Sequence, residues 1–159
     1  MFLNYGIEKN NRYPSWYGKD EQVHKVVARD RDHLIELIDA AIERNGLECD
    51  LNFIDVSQVT EMRWLFGFYP FDDETDEVIP EEELNELQKK AQKRSQFYGD
   101  ISQWDVSHVT NMKAMFFHSC FNGDISQWDV SSVKDMRGVF FFSRFNGDIS
   151  RWNVSNVTD

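Results

Sequence analysis

One 24-residue unit recurs along the second half of this 159-residue chain. Copies begin at Phe97, Phe121 and Phe145, and the middle copy is FNGDISQWDVSSVKDMRGVFFFSR. The first residues of successive copies are 24 positions apart, with no gap. A fixed period of this length is typical of proteins in which each repeat packs only against its neighbours. The repeat therefore predicts a solenoid.

A diverged fourth copy lies earlier in the chain. Residues 50–57 align with residues 100–107 at a shift of 50, and the match continues to Phe66 and Phe116. Because 50 exceeds the period by 26, one unit contains an insertion of about that length. We place this insertion at residues 70–96.

The insertion combines an acidic, loop-like part with a stretch that favours a helix over residues 81–94. Pro80 suits the first turn of such a helix, glutamates follow it, and basic residues lie near its end. Its apolar stripe is thin, consisting of Leu84, Leu87 and Ala91. We expect a mostly solvated helix packed lightly against one side of the stack.

Residues 1–48 predict an irregular aromatic arm followed by a β-α-β cap. A short strand is expected around Val23, Val26 and Val27, and a helix over residues 30–46. Asp30 suits the start of this helix and Gly46 its end. A second strand is expected at Cys49. Such a unit covers the first end of a solenoid, which repeat stacks need. The apolar stripe of the helix comprises Leu34, Ile35, Leu37, Ile38, Ala41 and Ile42.

Within one unit, the apolar spacing I-x-x-W-x-V-x-x-V-x-x-M from Ile125 echoes the frame of leucine-rich repeats. In that frame Trp128 and Val130 point inward from a short strand, and Asp129 points to solvent. A short helix or 3₁₀ turn is expected over residues 134–144. Stacked units would then form a parallel sheet, so the predicted fold class is α/β, a short leucine-rich-repeat-like solenoid.

The unit F-N-G-D-I-S-x-W-D-V-S-x-V-x-x-M resembles the repeats of BspA-like leucine-rich-repeat surface proteins. The likeness covers residues 50–66 and 97–159, and the run ECDLNFIDVS at residues 48–57 also resembles that family. It implies surface display, adhesion or protein binding without catalysis, and a location at the cell surface or outside the cell. The predicted organisation is a cap at 1–48 and a solenoid at 49–159. The solenoid comprises an interrupted repeat at 49–96, repeats at 97–120 and 121–144, and a partial repeat at 145–159.

The net charge of −11 argues against nucleic acid and anionic membranes as partners. No apolar run is long enough for a transmembrane helix, and the first 19 residues lack the pattern of a secretory signal. As written, the chain is expected in the cytoplasm. Cys49 and Cys120 are expected to be buried free thiols, with a single disulfide as the alternative.

Two ladders of side chains recur with the period. Stacked aspartates either bind a cation such as calcium or accept hydrogen bonds from neighbouring backbone N–H groups, and we favour the second. Stacked tryptophans either bind sugars or peptides or lie in the core, and we favour the core. The aspartates are Asp100, Asp124 and Asp148, with Asp105 and Asp129 at a second position; the tryptophans are Trp104, Trp128 and Trp152.

No catalytic constellation stands out. The recurring serines have no partnered histidine at a fixed spacing, and the four histidines have no metal-ligand spacing. We therefore predict no enzyme activity, no cofactor and no metal site.

Variation between the copies falls after the strand position. The outward residues of the expected strand barely change from copy to copy, whereas the second half of the unit varies. The run FFF at residues 140–142 cannot be fully buried in one coil, which indicates an apolar contact with a partner. The candidate partner surface comprises Phe117, His118, Phe141, Phe142 and Arg144.

These observations predict a non-catalytic protein-interaction module, adhesin-like or scaffold-like, with an unknown protein partner. The alternative is a self-assembling structural subunit, a homodimer through the last coil, because that coil has no covering cap. A calcium-stabilised solenoid ranks third.

Overall fold

A computed structural model describes residues 25–71 and 77–159. The expected aromatic arm and Val23 lie outside the described residues, as does most of the acidic part of the insertion. The described chain opens with a β-α-β unit, continues through the repeats, and includes one helical insertion.

The opening unit has strand β1 at Val26–Val27, helix α1 at Arg31–Asn45 and strand β2 at Ile54–Asp55. The two strands pair in parallel, Val26 opposite Ile54. Asp30 caps α1, its Oδ1 accepting the N–H of His33 at 2.8 Å, and Gly46 ends the helix with φ of 86°. The β-α-β order and both helix ends were correctly predicted.

The second strand lies five residues later than the predicted position at Cys49, which was therefore wrong. Asp50 instead forms an isolated parallel bridge with Asp100. The carbonyl of Cys49 accepts the N–H of Asp100 at 3.2 Å. The chain around Cys49 is thus hydrogen-bonded to the first full repeat, and its continuation at Ile54 pairs with β1.

Neighbouring repeats lie side by side in the register of the sequence alignment. Isolated parallel bridges join Glu61 to Asn111 and Asn111 to Asp135, the shifts of 50 and 24 found in the sequence. Further backbone hydrogen bonds follow the same register, for example from the N–H of Phe66 to the carbonyl of Met115 at 2.8 Å. Each repeat therefore supplies acceptors to the one before it.

Within each repeat the backbone forms a succession of tight turns. In the unit that begins at Phe97, hydrogen bonds join residues three apart, from Trp104 to Ile101 and from Val109 to Val106. The same bonds recur in the next unit, from Trp128 to Ile125 and then along the second half of the repeat. The strand expected at Trp128 is wrong, since Trp128 lies between two turns. Of the two alternatives for residues 134–144, the helix is wrong, and the 3₁₀ turn agrees with hydrogen bonds between residues three apart, from Val139 to Met136 and from Phe141 to Gly138. The leucine-rich-repeat-like solenoid itself stays a prediction.

Aromatic rings stack between the repeats to form the core. Phe121 lies 6.1 Å from Phe97 and 6.4 Å from Phe145, with nearly parallel planes. Trp128 lies 6.5 Å from both Trp104 and Trp152. Trp104 and Trp128 are only 4 % exposed, so their prediction as core residues is confirmed. Each indole N–H donates to a carbonyl of the preceding repeat, which satisfies its polar group.

The insertion contains a 3₁₀ turn at Glu81–Glu83 and helix α2 at Glu86–Ser95. The single helix predicted over residues 81–94 was wrong at its start. Leu84 has an extended backbone and a buried side chain, and Asn85 then opens α2 with a capping box to Gln88. Leu87, predicted on the packed stripe, is 78 % exposed.

Arg94 anchors α2 to the rest of the molecule. Its guanidinium donates to both carboxylate oxygens of Asp39 in α1, at 2.9 and 3.0 Å, and to the carbonyl of Leu65 at 3.1 Å. The arginine side chain is 8 % exposed. The insertion is therefore held by a nearly buried ion pair, in which one guanidinium nitrogen donates to both carboxylate oxygens, together with the buried side chain of Leu84.

Candidate functional site

The aspartate ladder is occupied by backbone hydrogen bonds. Oδ1 of Asp100, Asp124 and Asp148 accepts the N–H two residues further on, at 2.8 to 2.9 Å. Asp105 and Asp129 do the same with the following serines. The interpretation of the ladder as a series of Asx turns is confirmed.

These hydrogen bonds also shift the acidity of the ladder. The hydroxyl and then the N–H of Ser131 lower the pKa of Asp129, and Ser107 acts in the same way on Asp105. At Asp124 the N–H of Ser126 is the largest cause of a lowered pKa. Among residues 25–71 and 77–159, no three His, Cys, Asp or Glu side chains are grouped so as to hold a metal ion.

Both cysteines are free thiols. Cys49 is buried, and burial raises the pKa of its thiol to about 12, so it stays protonated at neutral pH. Cys120 is only half-buried, which corrects the expectation that both are buried.

Four of the five residues predicted as a partner surface lie together. We call Phe117, His118, Phe141 and Phe142 the aromatic flank. Phe117 lies 5.6 Å from Phe141, His118 lies 5.1 Å from Phe142, and Phe141 lies 4.2 Å from Phe142. Arg144 takes no part in these ring contacts; its backbone N–H donates to the carbonyl of Ser119 at 2.9 Å, and its side chain is exposed.

Two phenylalanines of the flank are largely in water. Phe141 is 54 % exposed and Phe142 is 64 % exposed, whereas Phe140 is half-buried against the core. Adjacent exposed aromatic side chains lose the free energy that burial would contribute. Packing these two rings against another apolar surface would recover that free energy.

Phe142 also has an unfavourable backbone. It has φ of 53°, and His118, at the same position of the preceding repeat, has the same value. The left-handed region disfavours side chains other than Gly, Asn or Asp. An exposed phenylalanine in that conformation contributes little to the core and carries a conformational cost. Because His118 has the same conformation, this backbone geometry belongs to this position of the repeat.

A groove of about 970 Å³ lies beside the flank, between the repeats and the insertion. Its aromatic wall is formed by Trp64, Tyr69, Phe71 and Phe117, with Trp64 5.2 Å and Tyr69 5.9 Å from Phe117. Its described lining includes four basic side chains and no acidic one, although the chain has 28 Asp and Glu against 17 Lys and Arg. We call this the basic groove; its cations are Arg31, Arg94, Lys113 and Arg137.

Sequence reasoning missed most of the basic groove. Phe71 belongs to the insertion and Tyr69 lies just before it, where no period distinguishes them. One signal was present, because Trp64 stands at the repeat position that Ala114 and Gly138 occupy elsewhere. A bulky residue replacing two small ones marks a departure from the pure repeat.

One family of known proteins matches the second half of the chain. Residues 82–159 match a family described as "Mycoplasma protein of unknown function, DUF285". This segment is just under half of the chain and contains α2 and the three later repeats. The match is consistent with the resemblance to BspA-like surface repeat proteins. No curated protein and no solved structure matches the chain.

No helix in the described ranges is both long and apolar enough to cross a bilayer.

Proposed function

We propose that this protein is a non-catalytic protein-binding module, built as a short solenoid of leucine-rich-repeat type, and that its partner contacts the aromatic flank. The observation behind the proposal is the exposure of Phe141 and Phe142, the latter with a left-handed backbone. Aromatic side chains supply much of the binding free energy at protein interfaces. The resemblance to surface repeat proteins adds an adhesin-like or scaffold role.

The partner is a second protein with an apolar surface. The flank presents rings from two successive repeats, Phe117 and His118 from one and Phe141 and Phe142 from the next. These rings have few rotatable bonds, so ordering them in an interface costs less conformational entropy than ordering long flexible side chains.

Site-specific photo-crosslinking tests the proposal. A photoreactive phenylalanine analogue replaces Phe142 in one preparation and Leu87 in another, since both positions are well exposed and Leu87 lies on α2. Each is irradiated in extract and surface fractions of the producing cells. We expect a discrete adduct from position 142 alone, reduced by excess wild-type protein and restored in intensity when the competitor has the change Phe141→Asp. Equal labelling from both positions would count against the flank.

Self-association is the second candidate function, and the face formed by the last repeat favours it. Ile149 and Val154 are 37 % and 51 % exposed, whereas their equivalents Ile125 and Val130 are 1 % exposed. A second copy would cover this apolar surface, as would further repeats in a longer chain. Sedimentation equilibrium across a hundredfold range of concentration tests this candidate. We expect a dimer that Val154→Glu dissociates; a monomer throughout the range would exclude it.

A further inference from the structure

The basic groove is a second surface with a chemistry of its own. Four basic side chains line it, and three of them are paired with a carboxylate: Arg31 with Asp32, Arg94 with Asp39 and Arg137 with Asp135. Aromatic side chains form one wall, and Phe68 beneath it is buried. A groove that combines fixed cations with an apolar wall complements a ligand that has both carboxylates and an apolar side chain.

The ion pairs around the groove position its cations and leave donors available. Arg137 donates to Asp135 from Nη2 at 2.6 Å and from Nε at 3.1 Å, and no described residue accepts from its Nη1. Arg31 donates from Nε to the carbonyl of Arg63 and from Nη1 to Asp32. An arginine has five N–H donors in a rigid fork, so each of these side chains can still bind a carboxylate.

Lys113 is the least compensated of the four cations. Its ammonium makes no hydrogen bond or ion pair with the described residues, and its side chain is half-buried. It occupies the repeat position next to Ala114, and Arg137 occupies the same position one repeat later. Two cations therefore follow each other along the groove at the repeat spacing.

Arg31 lies partly buried at one end of the groove. Burial is the largest cause of its lowered pKa; Asp32 opposes the effect, the nearby charges of Arg63 and Arg94 add to it, and Glu61 opposes it. A carboxylate bound beside Arg31 would offset part of the cost of burying its charge.

We propose that the basic groove binds an acidic peptide segment with an aromatic or large aliphatic anchor, the carboxylates contacting Lys113, Arg137 and Arg31 and the anchor packing on Trp64, Tyr69 and Phe117. This inference rests on the proposed function in taking a protein as the partner. It extends that function by naming the chemistry of the segment bound. The volume of about 970 Å³ is at the upper end of the range of roughly 300–1,000 Å³ typical of built ligand sites.

Peptide binding measured by fluorescence anisotropy tests the groove directly, without the natural partner. The probe is a labelled octapeptide of Asp and Glu with one central Phe. Two matched peptides replace Phe by Ala or all acids by Lys. We expect the acidic Phe peptide to bind at least about tenfold more tightly than either, a difference of about 1.4 kcal/mol. Affinity should fall as the salt concentration rises from about 50 to 300 mM, because salt screens the attraction between the peptide carboxylates and the basic side chains of the groove.

The chain supplies a matched charge control. Lys113→Glu should weaken binding of the acidic peptide about tenfold, whereas Lys134→Glu makes the same charge change at an exposed lysine outside the groove lining and should leave it nearly unchanged. If Lys113→Glu lowers the melting temperature, Arg137→Gln provides the same comparison from the surface of the next repeat.

Three outcomes would overturn the inference. They are equal affinity for the Phe and Ala peptides, equal effects of the changes at Lys113 and Lys134, and tighter binding of a single-stranded oligonucleotide with the same dependence on Lys113. Phe142→Gly separates this inference from the proposed function. Peptide binding that survives Phe142→Gly but not Lys113→Glu assigns the groove, whatever the crosslinking from position 142 shows.

Discussion

At the scale of single residues, one position of the repeat has a left-handed backbone in all three copies that contain it. Trp64, Ala114 and Gly138 have φ of 57°, 53° and 61°. The conformation is therefore a property of the repeat, and only one copy has the residue that suits it best. The tertiary structure imposes the turn on the other two, at a conformational cost.

Two glycine substitutions separate backbone conformation from steric fit. A Cβ at Gly138 would meet side-chain atoms no closer than 3.7 Å, so Gly138→Ala should lower the free energy of unfolding by only about 1–2 kcal/mol, the left-handed cost. A Cβ at Gly99 would lie 2.0 Å from the carbonyl oxygen of Cys49, so Gly99→Ala should cost considerably more. Urea denaturation of both variants checks the order, and an equal loss would contradict it.

The aspartate ladder predicts a dependence of stability on acid. Folding lowers the pKa of Asp105 and Asp129, so their contribution is present above the unfolded pKa of about 4 and is lost as pH falls through the folded pKa. Asn153 stands at the same repeat position and accepts the N–H of Ser155 at 3.1 Å. Asparagine therefore preserves the Asx turn but has no carboxyl group that titrates.

We expect the double change Asp105→Asn, Asp129→Asn to lower the urea midpoint slightly at pH 7, because the amide lacks the charge that strengthens the turn hydrogen bond. Between pH 4 and pH 2 the midpoint should fall less than in the wild type. Urea melts followed by tryptophan fluorescence at several pH values measure both quantities. A variant whose midpoint falls as steeply as that of the wild type would show that other groups govern the acid transition.

At the scale of elements, one ion pair joins α2 of the insertion to α1. Arg94 is buried and paired with Asp39, whose side chain is 19 % exposed. Removing one partner of such a pair leaves a partly desolvated charge, so Arg94→Met should lower the free energy of unfolding by about 3 kcal/mol. The carbonyl of Leu65 also loses its donor.

A double-mutant cycle with Asp39→Leu isolates the pair. The double variant Arg94→Met, Asp39→Leu should be less destabilised than the sum of the single changes, because no unpaired charge remains. Chemical denaturation of the four proteins gives the coupling free energy. Strict additivity would mean that α2 is held by packing, and that the short distances to Asp39 contribute little.

Local signals predicted the elements whose ends depend on nearby residues. Asp30 and Gly46 gave both ends of α1, because capping and left-handed termination are local effects. The helix predicted over residues 81–94 began too early, because burial of Leu84 in an extended backbone is a tertiary contact that helix propensity does not contain.

The strand predicted within each repeat failed for a physical reason. Asp124 and Asp129 each fold the backbone back through an Asx turn, and Trp128 lies between these turns. Side chains that bond the local backbone compete with a sheet ladder. The alternation of burial was still correct, since Trp128 and Val130 are buried and Asp129 is exposed.

Of the two candidate surfaces, the sequence predicted the aromatic flank and did not predict the basic groove. The aromatic flank follows from comparing copies, because Phe141 and Phe142 cannot both enter a core already filled by Phe140. The basic groove requires the insertion to lie beside the repeats, as Phe71 and Arg94 do. No spacing in the sequence contains that juxtaposition.

At the scale of the whole molecule, the last described repeat lacks the covering that the earlier ones have. The N–H groups of Ala114, Phe116 and His118 donate to carbonyls of the next repeat. Their equivalents in Gly138, Phe140 and Phe142 have no acceptor among the described residues. A further repeat would supply these acceptors and bury Ile149 and Val154.

Extension of the chain tests whether the repeats stack as a solenoid. A copy of residues 136–144 followed by a copy of residues 121–144, joined after Asp159, continues the period without a break. In a solenoid, stability grows with each neighbour interface. We expect the extended protein to have a higher melting temperature and a larger urea m-value, since more surface is exposed on unfolding.

A tail of the same length made of Gly and Ser provides the control, because it adds chain without an apolar face. The stacking model requires the repeat tail to stabilise the protein and the Gly/Ser tail to leave it unchanged. It also requires the stabilisation to disappear when the isoleucine and tryptophan of the appended unit, the copies of Ile125 and Trp128, are changed to serine. A repeat tail that hydrogen exchange finds unprotected while the melting temperature stays constant would show that the contacts between described repeats do not propagate, and would refute the solenoid.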